Sequence, residues 1–345
     1  MPAYKGIKIK HMITHESSLE NFTEQFEYVL ENYKSHGLKA ENFSNIVICG
    51  LGGSGIGGVI AKNWFFDQST IPIETVADYH LPKYTSEKSL VILNSYSGNT
   101  EETLSTYAEA KANGCKIITI TGGGTLKELS NSDSQVSYPL KGGYQPRMTI
   151  GLGLTYILLI IGEALGQDLR PEIEGLVTKF KADKETLRES GAGIFDFFKG
   201  TIKNKFVIVA DRQFAPVATR FTQQLQENSK LEGFVSVLPE ANHNMIESYV
   251  EKLPTNYIML YSTENQRVAA RFDFLISHLE MENSKVLPLQ IPEYNLYSIF
   301  NVIYILDWVS VDAANELGSD LMNVPIIMNL KGFLADLEIV HEEGE

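Results

Sequence analysis

The 345-residue chain is poor in cysteine, in tryptophan and in positive charge. Its two cysteines, Cys49 and Cys115, stand in apolar runs with no CxxC pair and no Cys/His cluster beside them. That pattern excludes a disulfide framework and a structural zinc site, predicts no bound metal, and suits a reducing, cytoplasmic setting. Acidic residues number 43 against 29 basic ones, for a formal net charge of −14. Duplex affinity rests largely on counterion release by Lys and Arg patches, so no nucleic-acid partner is expected. A few local donors can still hold a small anion against that global field. No membrane partner is expected either. The N-terminal MPAYKGIKIKHMITHESS has no continuous apolar core, and the greasiest stretch, 152–165, is short and contains Glu163. A span needs about 20 apolar residues, so that stretch reads as a buried helix.

What is present is ordinary globular composition, with 43% hydrophobic and 21% charged residues. The length exceeds what one hydrophobic core usually serves, so two domains are expected. Residues 17–36 place Leu19, Phe22, Phe26, Val29 and Leu30 at helical spacing, which predicts one amphipathic helix capped by Ser17 or Ser18 and stopped by Gly37. Strand and helix patterns then alternate. Strands are expected at 46–50, 71–78, 89–95 and 115–121, with helices over 56–66 and 101–113. After a charged helical stretch at 171–190 the cycle resumes, with strands at 205–211, 234–240, 256–262 and 285–291. Helices fall at 215–228, 266–282 and 296–317. Alternation of this kind predicts an α/β protein in which each domain is a mostly parallel sheet with helices on both faces. The expected divisions are a helical segment over 1–40, a first domain over 41–170 and a second over 171–345.

Two loops carry the first chemical signal. The first strand runs into CGLGGSGIGG (49–58) and then a helix. Glycines let the backbone turn tightly, and a helix N-terminus offers free N–H groups with a favourable dipole. Gly50, Gly52 and Gly55 also satisfy GxGxxG, with Glu74 or Asp78 near the place of a ribose-binding carboxylate. An NAD-linked dehydrogenase is therefore a competing reading. The third strand ends in NSYSGNTEET (94–103), where Ser95, Ser97 and Thr100 put three hydroxyls within six residues. Hydroxyls beside helix N–H groups suit a compact dianion better than a dinucleotide. The bland alternative is a capping box built from Ser97 or Asn99 with Glu101 or Glu102.

GGSGIGG, SYSGNTEET and the later PRMTIGLG together resemble the sugar isomerase (SIS) domain family. The first two motifs would also fit sugar-responsive regulators of that family, which leaves a non-enzymatic sugar-phosphate sensor as a second competing reading. The resemblance implies that Gly53, Ser54, Ser95, Ser97 and Thr100 hold a sugar phosphate.

The second half supplies candidates for proton transfer. Glu227 lies in QLQENSK (224–230); a carboxylate is a natural base for a carbon acid beside a carbonyl, though taken alone it reads first as a solvated helix-end Glu pairing with Lys230. His243 lies in the loop LPEANHNMIES (238–248), where a ring nitrogen can exchange a proton near neutral pH. ENSK followed by PEANHN, with the His sixteen residues after the Glu, resembles the bifunctional phosphoglucose/phosphomannose isomerase branch of the family. The resemblance covers about residues 40–335, including the apolar helix with DWVS (307–310).

What it implies is an isomerase of glucose 6-phosphate and fructose 6-phosphate, extended to mannose 6-phosphate, acting in sugar metabolism without a cofactor. Glu227 would be the base, Arg147 the partner of the enediolate, and His243 the ring-opening group, reaching in from the second subunit of a homodimer. SDLMNVPIIMNLKG (319–332) resembles the closing helix of the branch and puts Lys331 in the place of its ring-opening lysine. The pattern departs at Asn323 and Val324, where some dual-specificity members carry a threonine about seven residues before that lysine. The departure bears on mannose 6-phosphate and leaves the glucose/fructose reaction untouched.

Overall fold

The computed structural model describes residues 13–251, 253–279 and 284–336. The apolar runs form two parallel sheets. The first contains β1 (Asn45–Cys49), β2 (Ile73–Val76), β3 (Ser89–Ser95), β4 (Lys116–Thr121) and β5 (Val136–Pro139), in the order β2-β1-β3-β4-β5. The second contains β6 (Lys205–Ala210), β7 (Gly233–Val237), β8 (Thr255–Ser262) and β9 (Lys285–Ile291), in the order β7-β6-β8-β9. Every neighbouring pair is parallel. All residues of β1, β3 and β8 are buried, which explains why these segments read as continuous rather than alternating apolar runs.

The helices in chain order are α1 (His15–Glu20), α2 (Thr23–Asn32), α3 (Gly52–Trp64), α4 (Glu101–Ala112), α5 (Gly124–Ser132) and α6 (Ile150–Ala164). They continue with α7 (Arg170–Phe198), α8 (Ala215–Gln224), α9 (Gln266–Leu279), α10 (Leu296–Leu317) and α11 (Pro325–Ala335). One apolar cluster runs from Phe26 and Ile46 through Leu158 and Phe180 to Ile208 and Phe300, so the two sheets share a core. By length and composition α10 could cross a bilayer, but 78% of its apolar window is buried inside the fold, against α7 and α8. Cys49 and Cys115 are both free and buried.

The structure corrects three local expectations. The single helix over 17–36 is two helices, α1 and α2, broken at Asn21 and Phe22. The break lets the Phe22 ring pack on Phe26, Phe180, Phe300 and Tyr304, a burial that a Phe→Ala change would cost about 3–5 kcal/mol to lose. The N-cap is Thr14 rather than a serine, its Oγ1 accepting from the Ser17 N–H, and α2 ends at Asn32, ahead of Gly37. The first sheet also gains α5 and β5, whose short, polar sequences carry no clear period. Finally, the helix after β6 does not stay α-helical to 228. It ends in a π turn, Leu225–Ser229. The end of the helix expected over 266–282 lies partly outside the described residues.

Each sheet has one point where successive connections leave in opposite directions, between β1 and β3 in the first and between β6 and β8 in the second. Ligands of open α/β sheets bind at the carboxyl ends of strands at such points. The 50–58 and 95–100 loops flank the first of them.

Candidate active site

The two loops are tied to each other. Ser54 Oγ accepts from the Tyr96 N–H at 3.2 Å, and the Asn94 amide donates to the Ser54 carbonyl at 2.8 Å. Ser95, only 1% exposed, accepts from the Gly98 N–H at 3.1 Å and lies 3.0 Å from Thr100 Oγ1. Ser97 is exposed and Thr100 half-buried. The capping box expected as the bland alternative does not form. Thr100 is the N-cap of α4 and Leu51 that of α3, and neither helix has a side-chain cap among the described residues. Asn99 instead accepts from the Thr125 N–H at the start of α5. Two helix N-termini therefore converge with N–H groups that no capping side chain takes up, beside the hydroxyls of Ser54, Ser97 and Thr100. That arrangement suits a dianion.

Glycine is required where the loops touch their neighbours. Gly98 has φ +69°, and a Cβ on it would lie 1.8 Å from the Gly123 carbonyl oxygen. A Cβ on Gly53 would come within 2.7 Å of the Pro146 oxygen and 2.9 Å of Arg147 Cα. The 50–58 loop thus packs directly on the turn that carries Arg147.

Arg147 is 4% exposed, and three of its nitrogens are engaged. Nε donates to Asn228 Oδ1 at 3.0 Å, Nη1 to Glu227 Oε2 at 3.3 Å, and Nη2 to the Leu321 carbonyl at 2.5 Å. Burial lowers its proton affinity, and the Glu227 and Asp320 charges oppose that effect. Glu227 sits on the π turn with its side chain 26% exposed, lining a cleft of about 750 Å³ that also reaches Gly52 of the 50–58 loop. Lys230 does not pair with the Glu227 carboxylate, as the helix-end reading had it. Its ammonium donates to three backbone carbonyls, those of Glu227, Asp320 and Asn323, and so ties the 320–323 turn to the Glu227 turn.

Within one chain, then, Gly53, Ser54, Arg147 and Glu227 come together. His243 and Lys331 do not join them. His243 is exposed in the 3₁₀ turn after β7, and Lys331 is exposed on α11. Sequence reasoning missed Arg220, Asn228 and Asp307, all buried around Arg147. The available signal was Asp307 itself, the one acid in the mostly apolar stretch 296–311 of α10.

At the second sheet's switch point the turn already holds a carboxylate. Asp211, 5% exposed, accepts from the Phe214 N–H at 2.8 Å and the Ser262 N–H at 2.6 Å, while Asn265 Oδ1 caps α9. The two halves therefore differ: at the corresponding place the first leaves the N-termini of α3 and α4 without capping side chains. Glu74, a candidate ribose carboxylate in the dinucleotide reading, is instead paired with Lys62 at 2.8 Å.

Residues 41–133 match the family model described as SIS domain, and residues 198–334 match the bacterial phospho-glucose isomerase C-terminal SIS domain. The chain is 35% identical over 335 residues to a bifunctional phosphoglucose/phosphomannose isomerase of Caldicellulosiruptor bescii, covering 93% of this chain and 99% of the relative. It is also 35% identical, over 214 residues, to a D-glucosamine-6-phosphate 4-epimerase of Sulfolobus acidocaldarius, covering 62% of this chain and 66% of that one. Among solved structures, the C-terminal domain of glucosamine-fructose-6-phosphate aminotransferase from Francisella tularensis superposes with a TM-score of 0.71 at 15% identity, covering 90% of this chain and 98% of that one. That likeness bears on the fold.

Proposed function

The chain belongs to the bifunctional phosphoglucose/phosphomannose isomerase family, and from that membership we propose what each residue of the cleft does. The protein is an aldose–ketose isomerase that interconverts glucose 6-phosphate and fructose 6-phosphate. Its functional units are an N-terminal segment at 1–40, with helices at His15–Glu20 and Thr23–Asn32, the phosphate-binding SIS domain at 41–170 and the second SIS domain at 171–345.

The reaction moves one proton between C2 and C1 and leaves an enediolate in between. Gly53 and the hydroxyls of Ser54, Ser95, Ser97 and Thr100, with the first N–H groups of α3 and α4, hold the phosphate and so fix the distance to the reacting carbons. Glu227 takes the proton from C2 of the open-chain aldose and returns it to C1, while the hydroxyl proton on O2 passes to O1, giving the ketose. Arg147 presents donors to the oxygens where charge develops, in an arrangement fixed before substrate arrives. The single observation that supports this assignment best is the 3.3 Å contact between Arg147 and Glu227 in a cleft that also reaches the phosphate loop.

The hexose is cyclic in solution, so ring opening must come first. His243 and Lys331 serve it, His243 from the second subunit of a homodimer. In support, α11 leaves Ile326, Leu330 and Phe333 at 54–82% exposed, an apolar face that a second copy would cover while bringing Lys331 toward a cleft. Mannose 6-phosphate, the C2 epimer, is a second aldose substrate, and the protein works in the cytoplasm.

A coupled assay with glucose 6-phosphate, mannose 6-phosphate and glucosamine 6-phosphate, each with and without chelator, tests the reading. Turnover of glucose 6-phosphate to fructose 6-phosphate that survives chelation is expected. Turnover of the amino sugar alone would replace the reading with a chemistry nearer to the epimerase relative.

A further inference from the structure

Behind Arg147 and Glu227 stands a fully buried polar cluster. The Arg147 carbonyl accepts from Arg220 Nη2 at 3.1 Å and from Gln224 Nε2 at 3.3 Å. The same Arg220 nitrogen donates to Asp307 Oδ2 at 2.5 Å. Asn228, whose Oδ1 accepts from Arg147 Nε, donates its amide to Ser310 Oγ at 3.0 Å, and Ser310 in turn donates to the Asp307 carbonyl at 2.7 Å. Arg220, Asn228, Asp307 and Ser310 are between 0% and 4% exposed.

Stability is a weak reason for such a cluster, because a buried ion pair rarely does better than apolar packing of the same volume. Geometry gives a better one. Glu227 and Asn228 are consecutive, yet both reach the same guanidinium, one at Nη1 and the other at Nε. Successive residues of an α-helix point about 100° apart. The π turn at Leu225–Ser229 widens the turn locally and lets both side chains converge; such turns recur at functional sites. His15, from α1, borders the cluster; burial, with the Arg147 and Arg220 charges, pushes its ring down to about 3, so it adds no third cation.

We propose that the cluster is a positioning device for the isomerisation: Asn228, braced by Ser310, sets the direction of the Arg147 guanidinium, and the Arg220–Asp307 pair anchors the Arg147 backbone. Asn228 is a positioning residue that acts through Arg147. The inference rests on the assignment of Arg147 and Glu227 made above.

The test is a double-mutant cycle with Asn228→Ala in the wild-type and Arg147→Lys backgrounds, since lysine has no Nε to be held. In wild type the change is expected to lower kcat about 10- to 100-fold, as small misplacements of a reacting group do, with KM for fructose 6-phosphate moved less than about threefold. In the Arg147→Lys background the same change should cost less than about twofold. Equal losses in both backgrounds, or a loss confined to KM, would overturn the inference. Should Asn228→Ala fail to fold, Ser310→Ala carries the same cycle, with a smaller loss of kcat expected in wild type and none in the Arg147→Lys protein. An inactive wild type would refute the isomerase assignment itself. An active wild type indifferent to both substitutions would refute only the positioning role.

Discussion

Arg147, just ahead of α6, and Glu227, on the π turn after α8, meet at 3.3 Å although 80 residues separate them. One comes from the segment that follows the first sheet and the other from the second half, so the contact exists only when both halves are assembled. Gly53 packs on the same turn as Arg147, which sets the 50–58 loop, the cation and the carboxylate in one rigid relation. Proximity of that kind is what a proton transfer within a bound sugar needs.

Gly98→Ala tests the anion site from the backbone side. With φ +69° and a clash at 1.8 Å from the Gly123 oxygen, the new methyl must displace the loop. Strain of this kind costs about 1–3 kcal/mol. Thermal unfolding should reveal that loss, and KM for fructose 6-phosphate should rise at least about tenfold (about 1.4 kcal/mol). An unchanged KM would mean that the 95–100 turn does not hold the phosphate.

Much of this was legible in the sequence, and the pattern of success has a physical cause. Long apolar runs such as 89–95 and 296–317 fix an element by burial alone, and both stand at the bounds read from the chain. The glycine and hydroxyl loops were legible because tight turns and anion contacts admit few residue types. Three features were not. The break between α1 and α2 serves the Phe22 ring, whose neighbours at 180, 300 and 304 are distant in sequence. The π turn depends on what Glu227 and Asn228 reach, which no local period encodes. Arg220 and Asn228 lie on a helix and turn of mixed burial, where Gln223 and Gln226 meet solvent while Gln224 and Ser229 are buried, and only the fold reveals which ones turn inward.

The two switch points predict a binding stoichiometry. In the second half the Asp211 carboxylate occupies the N–H groups of Phe214 and Ser262, whereas the first half leaves α3 and α4 without capping side chains. Titration calorimetry with 6-phosphogluconate, a sugar phosphate that cannot isomerise, should give one site per chain. Two equivalent sites per chain would contradict this account of Asp211.

His15 gives a pH dependence of stability. Burial first, then the Arg147, Arg220 and Lys230 charges, lower its ring from 6.5 to about 3. The unfolded chain therefore binds a proton that the folded one refuses. This contribution is fully present above about pH 6.5 and is lost as the pH falls toward 3, at up to about 1.4 kcal/mol per pH unit. Urea unfolding at pH 7, 6 and 5 should show the stability of His15→Gln falling less steeply than that of wild type. Parallel curves would show that the ring does not titrate in this window.

The proposed contribution of His243 across a dimer predicts complementation. Glu227→Gln and His243→Phe should each be nearly inactive alone. If the subunits exchange freely, half of the dimers in an equal mixture are mixed, and each mixed dimer rebuilds one complete site. About a quarter of wild-type activity should return. A mixture no more active than its parents, under conditions where exchange is verified, would place His243 in its own chain's site or outside the chemistry.

Glu227 is the central claim, and isotope exchange addresses it most directly. Wild-type protein in D2O should carry deuterium onto C1 of fructose 6-phosphate as it forms from glucose 6-phosphate, followed by proton NMR. Glu227→Gln should lower the rates of both exchange and isomerisation about 10²- to 10⁴-fold while still binding 6-phosphogluconate. Exchange in Glu227→Gln at a rate within a few-fold of wild type would contradict the account and move the base elsewhere in the cleft.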